Sequence, residues 1–263
     1  MSHSVIRWED GTSKAIVDEL AEEEPLEIRV RGRAISITMR TPGHDDELAA
    51  GFFLSEGIIH QRGDVLRIEP CAKNELGNTI DVLLAPEIAV DFGKLTRHVF
   101  ASSSCGICGK ATIDSVMQDI DRVNGNLVVD ADLIARFPAI MHAAQENFHR
   151  TGGLHAAALF DSAGKMLVLR EDVGRHNAVD KVMGHALLHD WAPLDQRILL
   201  VSGRSSFEIM QKSLAARIPI VAAVSAPSSL AVQFAEQSGQ TLIGFLREGR
   251  MNIYTNGDRI RRT

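Results

Sequence analysis

The chain of 263 residues has little cysteine, few aromatic residues and no excess of positive charge. Three cysteines are too few for a disulfide-stapled domain, and residues 1–10 contain no apolar segment of a signal peptide, so we expect a cytoplasmic protein with reduced thiols. No apolar run is long enough to span a membrane. A formal net charge of −6 and 5% aromatic residues argue against nucleic-acid and anionic-membrane partners, which require basic faces or stacking rings.

Two of the three cysteines lie close together, in the string S-S-S-C-G-I-C-G-K at 102–110. The apolar residues after it fall at helical spacing, so a helix is predicted to begin just beyond Cys108, with Lys110 in its first turn. The unpaired amides of a helix N-terminus and a nearby cation both favour thiolate over thiol. The segment therefore predicts a reactive thiol site at Cys105 and Cys108.

Four interpretations of this cysteine pair compete. A structural disulfide is disfavoured in a reducing compartment. Zinc needs about four ligands, of which the pair supplies two, and His185 and His189 lie far beyond the usual separation, so we expect no bound metal. No thioredoxin-like strand precedes the pair, which argues against the interpretation as a dithiol oxidoreductase. A nucleophilic or sulfur-carrying cysteine with a second thiol nearby is the fourth, and the spacing alone does not choose among them.

The pattern of apolar residues changes near residue 125, which predicts a division into residues 1–125 and 126–263. Residues 1–20 are polar, and strands are predicted to begin only after them, as a small antiparallel sheet with a hairpin over 26–39, a helix over 45–59 and strands near 64–69 and 79–84. The second part starts with a helix near 131–149 and a hairpin about 161–164. Helices then alternate with strands, which predicts an α/β fold with a largely parallel sheet covered on both faces.

Three connections in the second part share Gly, Ser and charged residues, at 171–177, 202–206 and 225–229. Each opens a predicted helix, and open α/β sheets bind ligands beyond the carboxyl ends of their strands, so we expect the three to meet at one edge. Helix N-termini there offer amide groups to phosphate oxygens, and Arg175 and Arg204 favour the same ligand. The alternative is that these residues are ordinary helix caps and turns.

Several strings resemble the FdhD family. They are S-S-C-G-I-C-G-K at 103–110, T-G-G-L-H-A-A at 151–157, E-D-V-G-R-H-N-A-V-D-K at 171–181, S-G-R-S-S-F-E at 202–208, S-A-P-S-S-L-A at 225–231 and T-P-G-H-D-D-E-L-A-A-G-F near 41–52. The resemblance runs from about residue 25 to the C-terminus. It implies a homodimer in which residues 126–263 form a cytidine-deaminase-like α/β/α domain.

The resemblance also implies a function. A cysteine desulfurase of the IscS type would pass sulfane sulfur to Cys105 as a persulfide, and the sulfur would reach the molybdenum of the bis-molybdopterin guanine dinucleotide cofactor before its insertion into apo-formate dehydrogenase. Cys108 matches the second cysteine of the family, as a helper or resolving thiol. The stretch matching the family's cofactor-binding segment is Phe245, Leu246, Arg247, Glu248, Gly249 and Arg250. We expect GDP to mimic part of the cofactor, with a second contact through Ser202, Gly203, Arg204 and Ser205.

The alternative functions are a zinc hydrolase and a cofactor chaperone. A zinc hydrolase on a deaminase fold needs H-x-E and P-C-x-x-C, but none of the ten histidines is followed two residues later by glutamate, and Cys105 follows a serine. A non-catalytic chaperone that only holds the cofactor would not need a nucleophilic thiol. Cys71 matches no motif and is expected to be a small buried hydrophobe. His176 either assists proton movement or caps a helix.

Overall fold

The computed structural model describes residues 1–71, 77–92, 122, 123 and 125–262. It begins with an antiparallel hairpin of β1 (Ser2–Glu9) and β2 (Thr12–Glu19). Its turn is Asp10-Gly11, with both residues at positive φ, the combination that favours tight hairpins. The prediction that strands begin only after residue 20 is therefore wrong. Nearly every side chain of the hairpin is exposed, so no buried face imposed an apolar alternation on the sequence.

A four-stranded sheet follows, made of β3 (Glu24–Val30), β4 (Arg33–Arg40), β5 (Val65–Pro70) and β6 (Thr79–Leu84) in the order β4-β3-β6-β5. The predicted β3–β4 hairpin is confirmed, and β5 also pairs antiparallel with β6. However, β3 and β6 are parallel, so the expectation of an antiparallel sheet is wrong at that pair. The reason is the helix α1 (Asp45–Ser55), which separates the two hairpins along the chain and brings β6 beside β3 in the same direction.

The predicted single helix over 131–149 is also wrong. After β7 (Val129–Asp130), the chain forms three short helices: α2 (Ala131–Ile134), α3 (Phe137–Ala143) and α4 (Glu146–Thr151). Pro138 lies in the first turn of α3, where a proline is tolerated because that amide has no helical partner. Gln145, with φ −82° and ψ 71°, leaves the helical region and separates α3 from α4.

The second half is built on a six-stranded sheet in the order β13-β12-β11-β10-β8-β9. Its strands are β8 (His155–Phe160), β9 (Met166–Asp172), β10 (Ile198–Val201), β11 (Ile220–Ala223), β12 (Thr241–Arg247) and β13 (Arg250–Thr255). Only β10–β11 and β11–β12 are parallel pairs within it. The sheet is therefore mixed rather than largely parallel, because a hairpin forms each edge: the predicted β8–β9, and β12–β13, which the sequence pattern did not show.

Helices cover both faces of this sheet, as predicted. The cluster on one face includes Leu199 and Val221 with residues of α5 (Arg175–Leu188), α6 (Phe207–Ala215) and α7 (Ser229–Ser238). On the other face, Leu200 and Ile220 pack with residues of α2 and α3. A last strand, β14 (Ile260–Arg261), pairs with β7. The α/β class is thus observed as helix, sheet and helix layers.

The first core cluster extends into the N-terminal sheet, so residues on both sides of position 125 share it. Two glycines allow α1 and α5 to cross closely. A Cβ on Gly51 would lie 2.8 Å from Asp180 Cα, and one on Gly184 would lie 2.7 Å from Gly51 N. Within the described ranges, no helix is long and apolar enough to cross a membrane.

Candidate functional site

The three loops predicted to meet do lie together at one edge of the six-stranded sheet. Ser228 N donates to Ser205 O at 3.0 Å, and Ser205 forms an isolated bridge with Pro227, which joins the second and third loops. His176 Nε2 lies 3.4 Å from Ser206 Oγ, which joins the first and second. Because β9 runs in the same direction as β10, β11 and β12, four carboxyl ends share this edge.

The loop after β10 contributes its four predicted residues in different ways. Ser202 Oγ accepts a hydrogen bond from Ala156 N at 2.9 Å. A Cβ on Gly203 would lie 3.4 Å from His155 Nδ1, so the absent side chain leaves room for that ring. Arg204 is exposed. Ser205 is fully buried, and its Oγ has no hydrogen-bond partner among the residues that the structure describes.

The predicted segment 245–250 comprises the end of β12, the turn Glu248-Gly249 and the first residue of β13. Phe245 is 44% exposed and has a positive φ of 50°, a conformation that costs free energy in a bulky residue and often marks a functional position. Leu246 instead packs its side chain fully into the second core cluster, which leaves only its backbone for a ligand. Arg247 donates to the carbonyl oxygens of Val224 and Leu246. Glu248, Gly249 and Arg250 are exposed.

Arg175, His176 and Glu208 bring charged and titratable groups together where α5 begins. His176 Nε2 is 3.1 Å from Glu208 Oε2, and this hydrogen bond lowers the pKa of Glu208 against the opposing effect of burial. Burial lowers the pKa of His155, and the positive charges of Arg175 and His176 lower it further. The neutral form of His155 is therefore favoured, and the neighbouring guanidinium of Arg175 is the cation that would attract an anionic ligand.

A cleft of about 1020 Å³ opens at this edge, which is large for a small-molecule site. Three predicted residues line it: Ser202, Arg247 and Glu248. The rest of its lining was not predicted as part of a site: Pro138, Ala139, Met141, His142, Ala143, Gln145, Phe148, His149, Gly152, Gly153, Leu154, His155 and Val224. The string T-G-G-L-H-A-A at 151–157 was the signal that could have located this wall. The lining residues between 138 and 149 were missed because one continuous helix was expected over 131–149.

Glu171 anchors that wall to the sheet. Its carboxylate accepts hydrogen bonds from Asn147 N at 2.9 Å and Phe148 N at 2.7 Å, the first free amides of α4. A carboxylate stabilises a helix N-terminus both as a cap and through the helix dipole. Since Glu171 lies on β9, it fixes α4 and the cleft relative to the six-stranded sheet.

Other members of the string at 171–181 join the two halves of the chain. The buried carboxylate of Asp172 lies 2.7 Å from Lys181 Nζ and accepts hydrogen bonds from Thr41 N and Gly174 N. Asn177 Nδ2 donates to Asp172 and to Met39 O. These residues therefore have a structural role, which brings the strand end of β4 against the start of α5.

A second buried pair reinforces this junction. Lys212 Nζ lies 2.8 Å from an Asp180 carboxylate oxygen and donates to Ser55 Oγ at 2.9 Å. Burial raises the pKa of Asp180, while the charge of Lys212 opposes that effect. Together with Asp172 and Lys181, this pair holds α5 between α1 and α6.

The predicted thiols Cys105 and Cys108 lie outside the described residues. Cys71 is half-buried rather than fully buried, and Arg29 Nη1 lies 3.9 Å from its Sγ, so its expected role as a purely apolar core residue is wrong. Within the described part of the chain, no group of three or more His, Cys, Asp or Glu side chains could hold a metal ion.

Comparisons with known proteins agree on one family. Residues 21–261 match the model of the FdhD/NarQ family. The chain is 51% identical over 253 residues to the sulfur carrier protein FdhD of Mycobacterium tuberculosis, with 92% of each chain covered. It is 48% identical over 268 residues to the protein of the same name from Streptomyces coelicolor, which covers 97% of this chain and 94% of that one.

A solved structure shows the same fold. It is a protein of Desulfotalea psychrophila described as a possible formate dehydrogenase accessory protein. The TM-score is 0.77 over 99% of both chains, at 24% sequence identity.

Proposed function

This chain belongs to the FdhD/NarQ family, and from that membership we propose that it is a sulfur carrier in the maturation of formate dehydrogenase. A cysteine desulfurase of the IscS type loads Cys105, and the sulfur passes to the molybdenum of a bis-molybdopterin guanine dinucleotide cofactor that is later inserted into apo-formate dehydrogenase. The protein works as a cytoplasmic homodimer. Residues 126–263 provide a deaminase-like cofactor domain, and residues 1–125 contain the cysteine pair.

The observation that supports this function best is the cleft at the carboxyl edge of the six-stranded sheet. Its size suits a nucleotide-containing ligand, and Arg247 lines it beside Ser202. The nearby guanidinium of Arg175 adds positive charge in a protein whose net charge is negative. A phosphate-bearing cofactor is therefore the ligand that the electrostatics favour.

The loading step moves one sulfur atom between two thiols. The Cys105 thiolate attacks the outer sulfur of the desulfurase persulfide, so a new S–S bond forms on Cys105 as the old S–S bond breaks and the desulfurase thiolate leaves. The metal accepts sulfur as sulfide, which requires two electrons. Attack of the Cys108 thiolate on the Cys105 sulfur provides them, since it releases sulfide and leaves a disulfide between the two cysteines.

Intact-mass measurement after incubation with a cysteine desulfurase and cysteine tests the carrier role. The parental protein should gain one sulfur atom, and Cys105→Ala should gain none and should fail to restore formate dehydrogenase activity. Cys71→Ala is the matched control, because it removes the thiol that lies on the N-terminal sheet and should load normally. Sulfur loading and restored activity with Cys105→Ala would contradict the assignment.

Calorimetric titration with GDP tests the cofactor site. Replacing Arg247 or Arg250 by glutamine should weaken GDP binding about tenfold or more, since a charge-assisted hydrogen bond contributes roughly 1.5–3 kcal/mol. Both variants should still load sulfur at Cys105. Equal affinity for GDP and ADP, or no binding of either, would mean that the loops are ordinary helix caps.

A further inference from the structure

The N-terminal hairpin of β1 and β2 separates charged from uncharged side chains. Successive residues of a strand point to opposite faces, and directly paired residues point to the same face. The register of β1 with β2 therefore gathers nearly all the charged residues on one face, which holds His3, Val5, Arg7, Glu9, Thr12, Lys14, Ile16 and Asp18. The opposite face, called the Trp8 face below, consists of Ser2, Ser4, Ile6, Trp8, Ser13, Ala15, Val17 and Glu19.

The Trp8 face is open to solvent although it is the less polar of the two. Ile6 is 78% exposed, Trp8 70% and Val17 73%. Within the described ranges, β1 and β2 pair only with each other and form a sheet of two strands. A two-stranded hairpin is marginally stable by itself in water and needs further packing of its apolar face. The exposed apolar side chains therefore point to a partner that covers the Trp8 face.

The charge of the Trp8 face limits what can cover it. Its one charged residue is Glu19, at the base of the hairpin, where Glu19 Oε2 lies 3.9 Å from Arg150 Nε of the same chain. The rest of the face carries only hydroxyl and apolar groups, so a charged partner surface would be buried without counter-charges. Five of the eleven exposed large hydrophobic residues in the described part of the chain lie within residues 1–20. The matching uncharged, apolar surface is therefore the Trp8 face of a second copy.

The shape of the Trp8 face also fits a second copy of itself. Three of its cross-strand pairs join a larger residue to a small one: Ser4 with Val17, Ile6 with Ala15 and Trp8 with Ser13. When two such faces are stacked about a two-fold axis that runs along the hairpin, each larger side chain lies opposite the small residue of the same pair. A two-fold axis across the hairpin likewise places every larger side chain opposite a serine or an alanine. Large residues against small ones allow two layers to interdigitate, and a contact between identical patches closes as a dimer.

We propose that the Trp8 face is a dimerisation surface, on which the hairpins of two copies pack face to face. This assignment rests on the homodimer of the proposed function and gives that homodimer a surface. The two hairpins form layers about 10 Å apart with their strands within about 30° of each other. Two faces of this size bury on the order of 1,000 Å² in total, at the lower end for specific interfaces, so the dimer dissociates on dilution.

Sedimentation velocity of the full-length protein over a dilution series tests this surface. The parental protein should be a dimer that dissociates as it is diluted. Trp8→Ser should raise the dissociation constant about thirtyfold or more, because a central aromatic side chain dominates the energy of many interfaces. Val17→Ser, on the other strand, should weaken the dimer in the same direction. Arg7→Ser is the matched control on the opposite face and should change the dissociation constant by less than about twofold.

The fluorescence of Trp8 gives a second readout. The chain has two tryptophans, so Trp191→Phe leaves Trp8 as the only one. Its emission should move to shorter wavelength as the protein concentration rises, because the second copy covers a ring that is mostly exposed in the monomer. Arg7→Ser in the same background should keep this shift, and Val17→Ser should move it to higher concentration.

Equal dissociation constants for Trp8→Ser and Arg7→Ser would overturn the proposal, as would a parental protein that is monomeric at every concentration. Trp8 emission that shifts only when apo-formate dehydrogenase is added would assign the face to that enzyme and also overturn it. If Trp8→Ser changes the circular dichroism spectrum, Val17→Ser decides in its place. Sulfur loading of Cys105 is measured separately: loading of a monomer refutes only the dimerisation surface, and an intact dimer that does not load refutes only the carrier function.

Discussion

The close crossing of α1 and α5 leads to a prediction whose sign depends on two opposing effects. Replacing a helical glycine by alanine normally stabilises a protein by about 0.8–1.0 kcal/mol, because glycine has the greater backbone entropy to lose. At Gly51, however, the new Cβ would lie 2.8 Å from Asp180 Cα and closer still to the Asp180 carbonyl oxygen. Carbon atoms need about 3.5–4.0 Å, so the two helices would have to separate by roughly 1 Å.

The separation is costly because the obstacle is backbone and cannot rotate away. Overpacking of a core costs about 1–3 kcal/mol, and this site falls at the upper end because α5 is also held by the Asp172–Lys181 and Asp180–Lys212 pairs. After subtraction of the helix-propensity gain, we expect Gly51→Ala to lower the free energy of unfolding by about 2 kcal/mol. Since α5 begins at Arg175, beside the cleft, a shift of α5 in Gly51→Ala should also weaken GDP binding.

Urea unfolding followed by circular dichroism measures this effect. Gly63→Ala is the matched control, because Gly63 is exposed in the 3-10 turn Arg62–Asp64 and a Cβ there would meet nothing within 4 Å. The free energy of unfolding of this variant should differ from that of the parental protein by less than about 0.5 kcal/mol. Gly184→Ala, on the facing helix, should resemble Gly51→Ala. If Gly51→Ala proves as stable as Gly63→Ala, the close crossing described here is incorrect.

Three further predictions concern charge and metal. Lys181→Met should lower the free energy of unfolding by about 3–5 kcal/mol, because it leaves the buried Asp172 carboxylate without its cation. Adding Asp172→Asn to the same chain should recover part of that loss in urea unfolding, and no recovery would contradict the ion-pair argument. Burial raises the pKa of Glu47, but hydrogen bonds from Arg170 and His185 outweigh it and hold the pKa below its usual 4.5. Glu47 therefore stabilises the fold above about pH 4.5 and loses that contribution as the pH falls through its lowered pKa. The difference in stability between the parental protein and Glu47→Gln should therefore shrink as the pH falls below 4.5, and a difference independent of pH would refute the assignment. Elemental analysis should find no stoichiometric zinc, because the sequence lacks H-x-E beside the cysteine pair. One zinc ion per chain that resists chelation would contradict this and support a zinc site.

The sequence by itself was enough for the α/β class, the β3–β4 and β8–β9 hairpins and the meeting of three loops at one sheet edge. Each depends on local patterns: apolar alternation, turn residues, and the rule that helices follow the carboxyl ends of strands. The family strings were likewise visible in the sequence. From them came the predictions of reactive thiols at Cys105 and Cys108 and of a cofactor-binding segment at 245–250, which stay predictions.

Strand direction and the cleft were decided only by the tertiary structure. The parallel β3–β6 pair arises from pairing between distant segments, which local periodicity does not encode. The β12–β13 hairpin is local, but shifts in its register interrupt the regular alternation by which a strand is recognised. The break at Gln145 depends on Glu171, a residue of another strand, capping the next helix. The family string at 171–181 did not reveal that Asp172 and Lys181 form a buried ion pair, because the role of a charged side chain is set by what packs around it.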